Sequence, residues 1–276
     1  METGYAHCES FLREHDRAAW LAAMFAPDET RRHLHALYAF AAEIARVRAI
    51  VSEPALGEIR LQWWAEALEG QRAGEAAANP VAQALLQTVA ECRLPVAALT
   101  GMIEARRFDL YNDPMPDLAT LEGYCGETYS ALFRLAAIAL NSGNEPGGAD
   151  VCGHAGVALG VARILQDLPR HAARGQCLVP ADVLKRHGAV AEAVAAGLTS
   201  QPLLAALAEL RGRTREHLKA SREGVETLAP AARPALVPLA AVEPLLKRME
   251  GRNYDPFASD VEPPQWRLQW AMLRFK

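Results

Sequence analysis

The sequence has no apolar run long enough to cross a bilayer as a helix. Its longest apolar region, Leu228 to Leu246, is interrupted by Arg233, Glu243 and four prolines. It also lacks a leader-like start: Glu2, Glu9, Glu14 and Asp16 fall where a signal peptide would need an apolar core, so neither secretion nor mitochondrial import is expected. Cysteine is sparse. Cys8, Cys92, Cys125, Cys152 and Cys177 are widely spaced with no CxxC pair, which excludes a disulfide scaffold and a structural zinc site and fits a reducing cytoplasm. No excess of positive charge is present either. The 29 Lys and Arg against 33 Asp and Glu leave a net charge of −4, which argues against a nucleic-acid partner held by bulk charge. Alternating runs rich in Val, Ile and Thr are missing as well, and with them any case for a sheet.

What remains is helical spacing along nearly all 276 residues, with 51% hydrophobic content to build a core. The expected class is all-α, a bundle-like single domain over residues 1–276. Expected helices cover 6–25, 29–51, 54–69, 78–91, 95–110, 117–141, 149–168, 180–186, 189–196, 201–226, 230–249 and 263–275. The turn residues from Asn141 to Gly148 form the clearest loop.

Two helices carry unusual faces. In the first, Leu37, Phe40, Ile44, Val47 and Val51 make an apolar seam, while the neighbouring stripe runs Tyr38, Ala42, Ala45, Ala49, bordered by Glu43, Arg46 and Arg48. In the second, Gly156, Gly160, Arg163 and Asp167 share a stripe that His171 extends if the helix survives Leu168-Pro169. Close helix packing at the glycines and a surface Arg-Asp pair explain that stripe without function.

The ordered segments LYAF, RLQWW, FDLY, EGYCGETYSALF and GVALGVARILQDLPRHAARGQCLVP, over about residues 5–225, resemble the squalene/phytoene synthase family of head-to-head prenyl transferases. The resemblance implies the isoprenoid-synthase bundle with a central cavity for prenyl chains. Active members hold Mg²⁺ between two aspartate-rich helices, because Mg²⁺ needs hard oxygen ligands and neutralises the departing diphosphate. The first family motif, YAFCRxxDDxxD, places its acids at Ala45, Arg46 and Ala49 and its arginine at Ala42. The second falls on residues including Arg163, Asp167, Arg170 and His171, of which only Asp167 is acidic. Glu43 lies about 200° round the helix from Ala45 and cannot substitute. No metal site, no catalytic residue and no cofactor are therefore expected.

A narrower resemblance is to the branch of this family that serves in assembly of respiratory complex I. It rests on AFAAEIARVRAIVSEPALGEIRLQWW, with Arg60, Gln62, Trp63 and Trp64, on Gly156, Gly160, Pro169, His171, Val179 and Pro180, and on the aromatic-basic tail WRLQWAMLRFK. This implies a non-catalytic protein whose partner is a complex I subunit or assembly intermediate, placed in the cytoplasm at the inner-membrane face. Arg46, Arg163, Arg170, His171 and Arg174 are either a solvated basic rim or a metal-free site for a phospholipid headgroup or prenyl diphosphate. Tyr38, Ala42, Trp63, Trp64, Gly156 and Gly160 are the cavity candidates, with core packing the competing role for the tryptophans. Arg60 is a candidate buried partner of Glu127. The tail, with Trp266, Trp270 and Leu273 on one face, either docks on the bundle or makes a peripheral membrane contact. Two rivals remain: an active squalene or phytoene synthase using Mg²⁺, and a lipid-binding regulator unconnected to respiration.

Overall fold

The computed structural model describes residues 4–275. Met1–Thr3, with Glu2, and the tail residue Lys276 lie outside the described residues. The described chain is helical throughout, without a strand, and has a single isolated bridge between Gly147 and Leu228.

The helices are α1 (Gly4–His15), α2 (Arg17–Ala23), α3 (Asp28–Ile50), α4 (Pro54–Leu68), α5 (Ala73–Ala78), α6 (Pro80–Cys92), α7 (Val96–Arg106), α8 (Leu118–Cys125) and α9 (Ala131–Leu140). They continue with α10 (Ala149–Gln166), α11 (Leu168–Ala172), α12 (Ala181–His187), α13 (Ala191–Ala195), α14 (Gln201–Glu223), α15 (Val242–Arg248) and α16 (Gln265–Leu273).

The expected seam of α3 is the centre of the packing. Leu37, Phe40, Ile44 and Val47 are buried among α1, α6 and α9, while Val51 is half-exposed where the chain turns into α4. Asp28 and Glu29 complement the positive end of the α3 dipole, and Pro54 opens α4 at a position where its missing N–H costs nothing.

Helices α10 and α14 form the other main pair, and α10 also lies against α9 and the segment before it. That segment departs from the single helix expected over 117–141. Residues Gly126–Ser130 form one π-helical turn between α8 and α9, and α10 approaches it through its glycines. A Cβ on Gly156 would sit 2.1 Å from the Ser130 nitrogen, and one on Gly160 would sit 2.6 Å from Cys125 Sγ. Only glycine permits this separation.

Two further expectations need correction. The helix expected over 6–25 breaks at Asp16, whose carboxylate accepts a hydrogen bond from the Ala19 nitrogen and so starts α2 anew. The helix expected over 230–249 begins as a tighter 3₁₀ stretch, Pro230–Ala241, because Pro234 and Pro238 remove donors that an α-helix would need. All five cysteines are buried and unpaired.

Candidate functional site

The face of α3 that carries alanines meets α10, α11 and the α7 end around two adjoining cavities. One is about 360 Å³ and is lined by Ala45, Arg46, Arg48, Ala49, Arg106, Asp109, Tyr124, Tyr129, Arg163, Asp167, Arg170, His171, Arg174 and Gln176, among others. The second, about 560 Å³, shares Ala45, Arg46, Arg163, Asp167 and Arg170 with it. It runs on past Tyr38, Ala41, Ala42, Met102, Leu132, Phe133 and Leu159. The first chamber is cationic, and the second joins an apolar part, around Tyr38, Met102, Leu132, Phe133 and Leu159, to charged residues that include Arg13, Glu14, Asp16, Arg17 and Glu262. Ala42, Ala45 and Ala49 keep these walls open because they carry nothing beyond Cβ.

Six arginines face the first cavity against two carboxylates, Asp109 and Asp167. Three of the six are engaged. Arg106 donates to Asp109 at 3.1 Å and to the Tyr124 hydroxyl, which in turn donates to Asp109 at 2.8 Å. Arg163 donates to Asp16 at 3.3 Å and to Gln166 at 3.2 Å, and Arg170 donates to Asp167. Arg46 stacks over the Phe11 ring. Arg46, Arg48 and Arg174 have no carboxylate within ion-pairing distance among the described residues, in contrast to the pairs of Arg106, Arg163 and Arg170.

Electrostatics follow from this crowding. Desolvation, and then the nearby Arg48 charge, hold the Arg174 guanidinium below its ordinary value. Asp16 has the opposite effect on Arg163, stabilising its charge. Burial pushes His171 down towards the neutral form, and its Nδ1 is buried with no hydrogen-bond partner; Arg48 Nε is in the same condition. Two unsatisfied polar nitrogens at one cationic cavity are an unusual cost for a native fold.

The loop after α7 is locked to the far wall by Gln176, whose amide donates to the Asp109 and Tyr111 carbonyl oxygens at 2.9 Å each. Asn112 adds a bond to the Arg174 carbonyl.

Mg²⁺ does not fit the donors present. Asp167 and Asp109 are occupied by arginines, Asp16 by Arg163, and no group of three or more His, Cys, Asp or Glu side chains able to hold a metal occurs among the described residues. Glu14 and Glu262 line the second cavity outside any such group.

The structure brings together Ala45, Arg46, Ala49, Arg163, Asp167, Arg170, His171 and Arg174 at the first cavity, and Tyr38 and Ala42 at the second. Four cavity candidates fall elsewhere. Trp64 is buried against Phe40, with ring centroids 5.2 Å apart, and Trp63 donates its indole N–H to Glu75, so both serve packing on α4. Gly156 and Gly160 serve the contact with Ser130, Cys125 and Tyr129. Arg60 and Glu127 are both exposed and form no buried pair. His15, Asp16, Arg48, Arg106 and Tyr129 line the cavities too, beyond the residues that the sequence motifs mark. For Asp16 the signal was present, an aspartate three residues before Ala19 in a capping position.

Comparison with known proteins agrees with this architecture. A 28% identical relative is complex I assembly factor 6 of Rattus norvegicus, the alignment covering 94% of this chain and 77% of that protein. The 15-cis-phytoene synthase of Synechococcus elongatus is 24% identical, over 99% of this chain and 94% of the enzyme. Among solved structures, the squalene synthase HpnC from Alicyclobacillus acidocaldarius superposes with a TM-score of 0.76 at 24% identity, covering 90% of this chain and 93% of that one. The model of the squalene/phytoene synthase family matches residues 12–274, and the chain belongs to that family.

Proposed function

We propose that this protein is a non-catalytic member of its family that binds a phosphate-bearing amphiphile directly through arginines and acts in the assembly of respiratory complex I. The observation that carries the binding half is the first cavity, where six arginines surround a space with two carboxylates that are already engaged. Guanidinium groups fork onto phosphate oxygens without an intervening metal. The apolar part of the neighbouring chamber, past Tyr38, Met102, Leu132, Phe133 and Leu159, supports this reading as a place for the hydrocarbon of a phospholipid or a prenyl diphosphate. The assembly half is supported by similarity to complex I assembly factor 6, at 28% identity.

Titration with inorganic diphosphate in the presence of EDTA tests the site. Binding should survive chelation, and Arg163→Ala and Arg174→Ala should each weaken it about tenfold; unchanged affinity in both variants defeats the anion site. Deletion of the gene should lower complex I abundance, with recovery on return of the intact gene. Normal complex I after deletion would instead favour a lipid-binding regulator. A C30 or C40 product from farnesyl or geranylgeranyl diphosphate with Mg²⁺ and NADPH would defeat the non-catalytic reading.

A further inference from the structure

Helix α16 docks on the bundle in an unusual orientation. Leu268 and Met272 are buried in a small cluster with Leu21, Ala22, Val237 and Ala240, so one side of the helix is anchored. The opposite side is also apolar: Trp266, Trp270 and Leu273 recur at steps of four and three and are 63%, 55% and 68% exposed. Among the described residues these are the two exposed tryptophans, and with Leu273 they form one apolar face turned to water.

The charges around this face point to its occupant. Arg267 lies over the Trp266 ring at 5.1 Å, Arg274 lies over the Trp270 ring at 4.3 Å, and α16 contains no acidic residue. Indole rings flanked by guanidinium groups suit the boundary where anionic headgroups meet acyl chains. A helix about 13 Å long with three outward apolar side chains is far smaller than the roughly 20–30 residues a side of a stable protein interface.

Position relates α16 to the cavity. Ala18 packs against the cluster that seats α16, and Ala18 and Pro238 also line the second cavity. The anchored side of α16 therefore lies beside one wall of that cavity, and the outward face is turned away from it.

We propose that α16 seats the protein on an anionic lipid surface, with Trp266, Trp270 and Leu273 in the interface and Arg267 and Arg274 on the headgroups. This docking goes beyond the anion-site reading and stands without it. The chain carries a net charge of −4, so attraction is local to this helix, and raised salt weakens it.

The test is co-sedimentation of the full chain with vesicles of phosphatidylcholine alone or mixed with phosphatidylglycerol, together with tryptophan emission. The protein should partition about tenfold better onto the mixed vesicles, with a blue-shifted emission. The double variants Trp266→Ser/Trp270→Ser and Arg267→Gln/Arg274→Gln change only exposed side chains, keep the parent's thermal midpoint, and should each lose most of that partition. Three results overturn the proposal: no binding to mixed vesicles, unchanged binding of the tryptophan variant, or a dimer in sedimentation equilibrium that needs the tryptophans while vesicles go unbound. Diphosphate titration is unaffected by any of these outcomes, so the two readings fail separately.

Discussion

Asp16 shows how much depends on one side chain. It caps α2 through the Ala19 nitrogen and also accepts from Arg163 at 3.3 Å, so it both breaks the first helix and withholds a cation from the cavity. Asparagine caps nearly as well as aspartate but carries no charge. Asp16→Asn should therefore leave stability within about 1 kcal/mol, as expected for a partly exposed pair, while tightening diphosphate affinity roughly fivefold. Calorimetric titration beside a urea melt measures both, and weaker diphosphate binding would show that Asp16 orients Arg163 instead of restraining it. The sequence exposed the cations at Arg46, Arg163, Arg170 and Arg174 because they lie at or near the two segments where the family resemblance places its metal motifs. It hid Arg106 and Tyr124, since nothing in their local spacing says that a loop locked by Gln176 will bring them to α10.

Among the elements, α10 is positioned by what its glycines omit. Gly156 and Gly160 admit the π turn and Tyr129, and Arg163 follows one turn beyond Gly160 at the cavity wall. The glycines of the stripe serve close packing and set the depth of the arginine that follows, whereas the expected surface pair of Arg163 with Asp167 does not form: Arg163 turns to Asp16, and Asp167 accepts from Arg170. Gly156→Ala should cost about 3 kcal/mol, because the new methyl meets the Ser130 backbone, which cannot rotate aside. Denaturant unfolding would reveal it, and a loss below about 1 kcal/mol would mean the π turn relaxes easily. The helices themselves were largely legible, because apolar spacing marks them. The π turn and the 3₁₀ stretch from Pro230 were not: the first arises from tertiary contact with α10, and the second preserves an apolar pattern that resembles an α-helix.

At the scale of the whole molecule, three buried histidines and the half-buried His171 link the fold to pH. Burial pushes His33, His35, His171 and His217 below the usual histidine value, so the folded chain holds fewer protons than the unfolded one just under that value. Their contribution is complete above the unfolded pKa of about 6.5 and is lost as pH falls through the folded values. The thermal midpoint should therefore drop between about pH 7.5 and 5.5. Sulfate, doubly charged throughout, should lessen that drop by favouring the His171 imidazolium. A midpoint that is flat or rises on acidification would contradict the burial argument.

The five buried thiols also serve as clocks. Burial raises Cys8 and Cys125 to about 12 and Cys152 and Cys177 to about 11, so a folded molecule offers almost no thiolate to an alkylating reagent. Labelling must wait for the structure to open. Cys125 touches the Gly160 contact beside the cavity, whereas Cys8 lies in α1, which packs on α3 and α6, and reports a different part of the core. If Cys125 reacts ahead of Cys8, and bound diphosphate removes that lead, then the site opens as a unit of its own before the rest of the bundle comes apart.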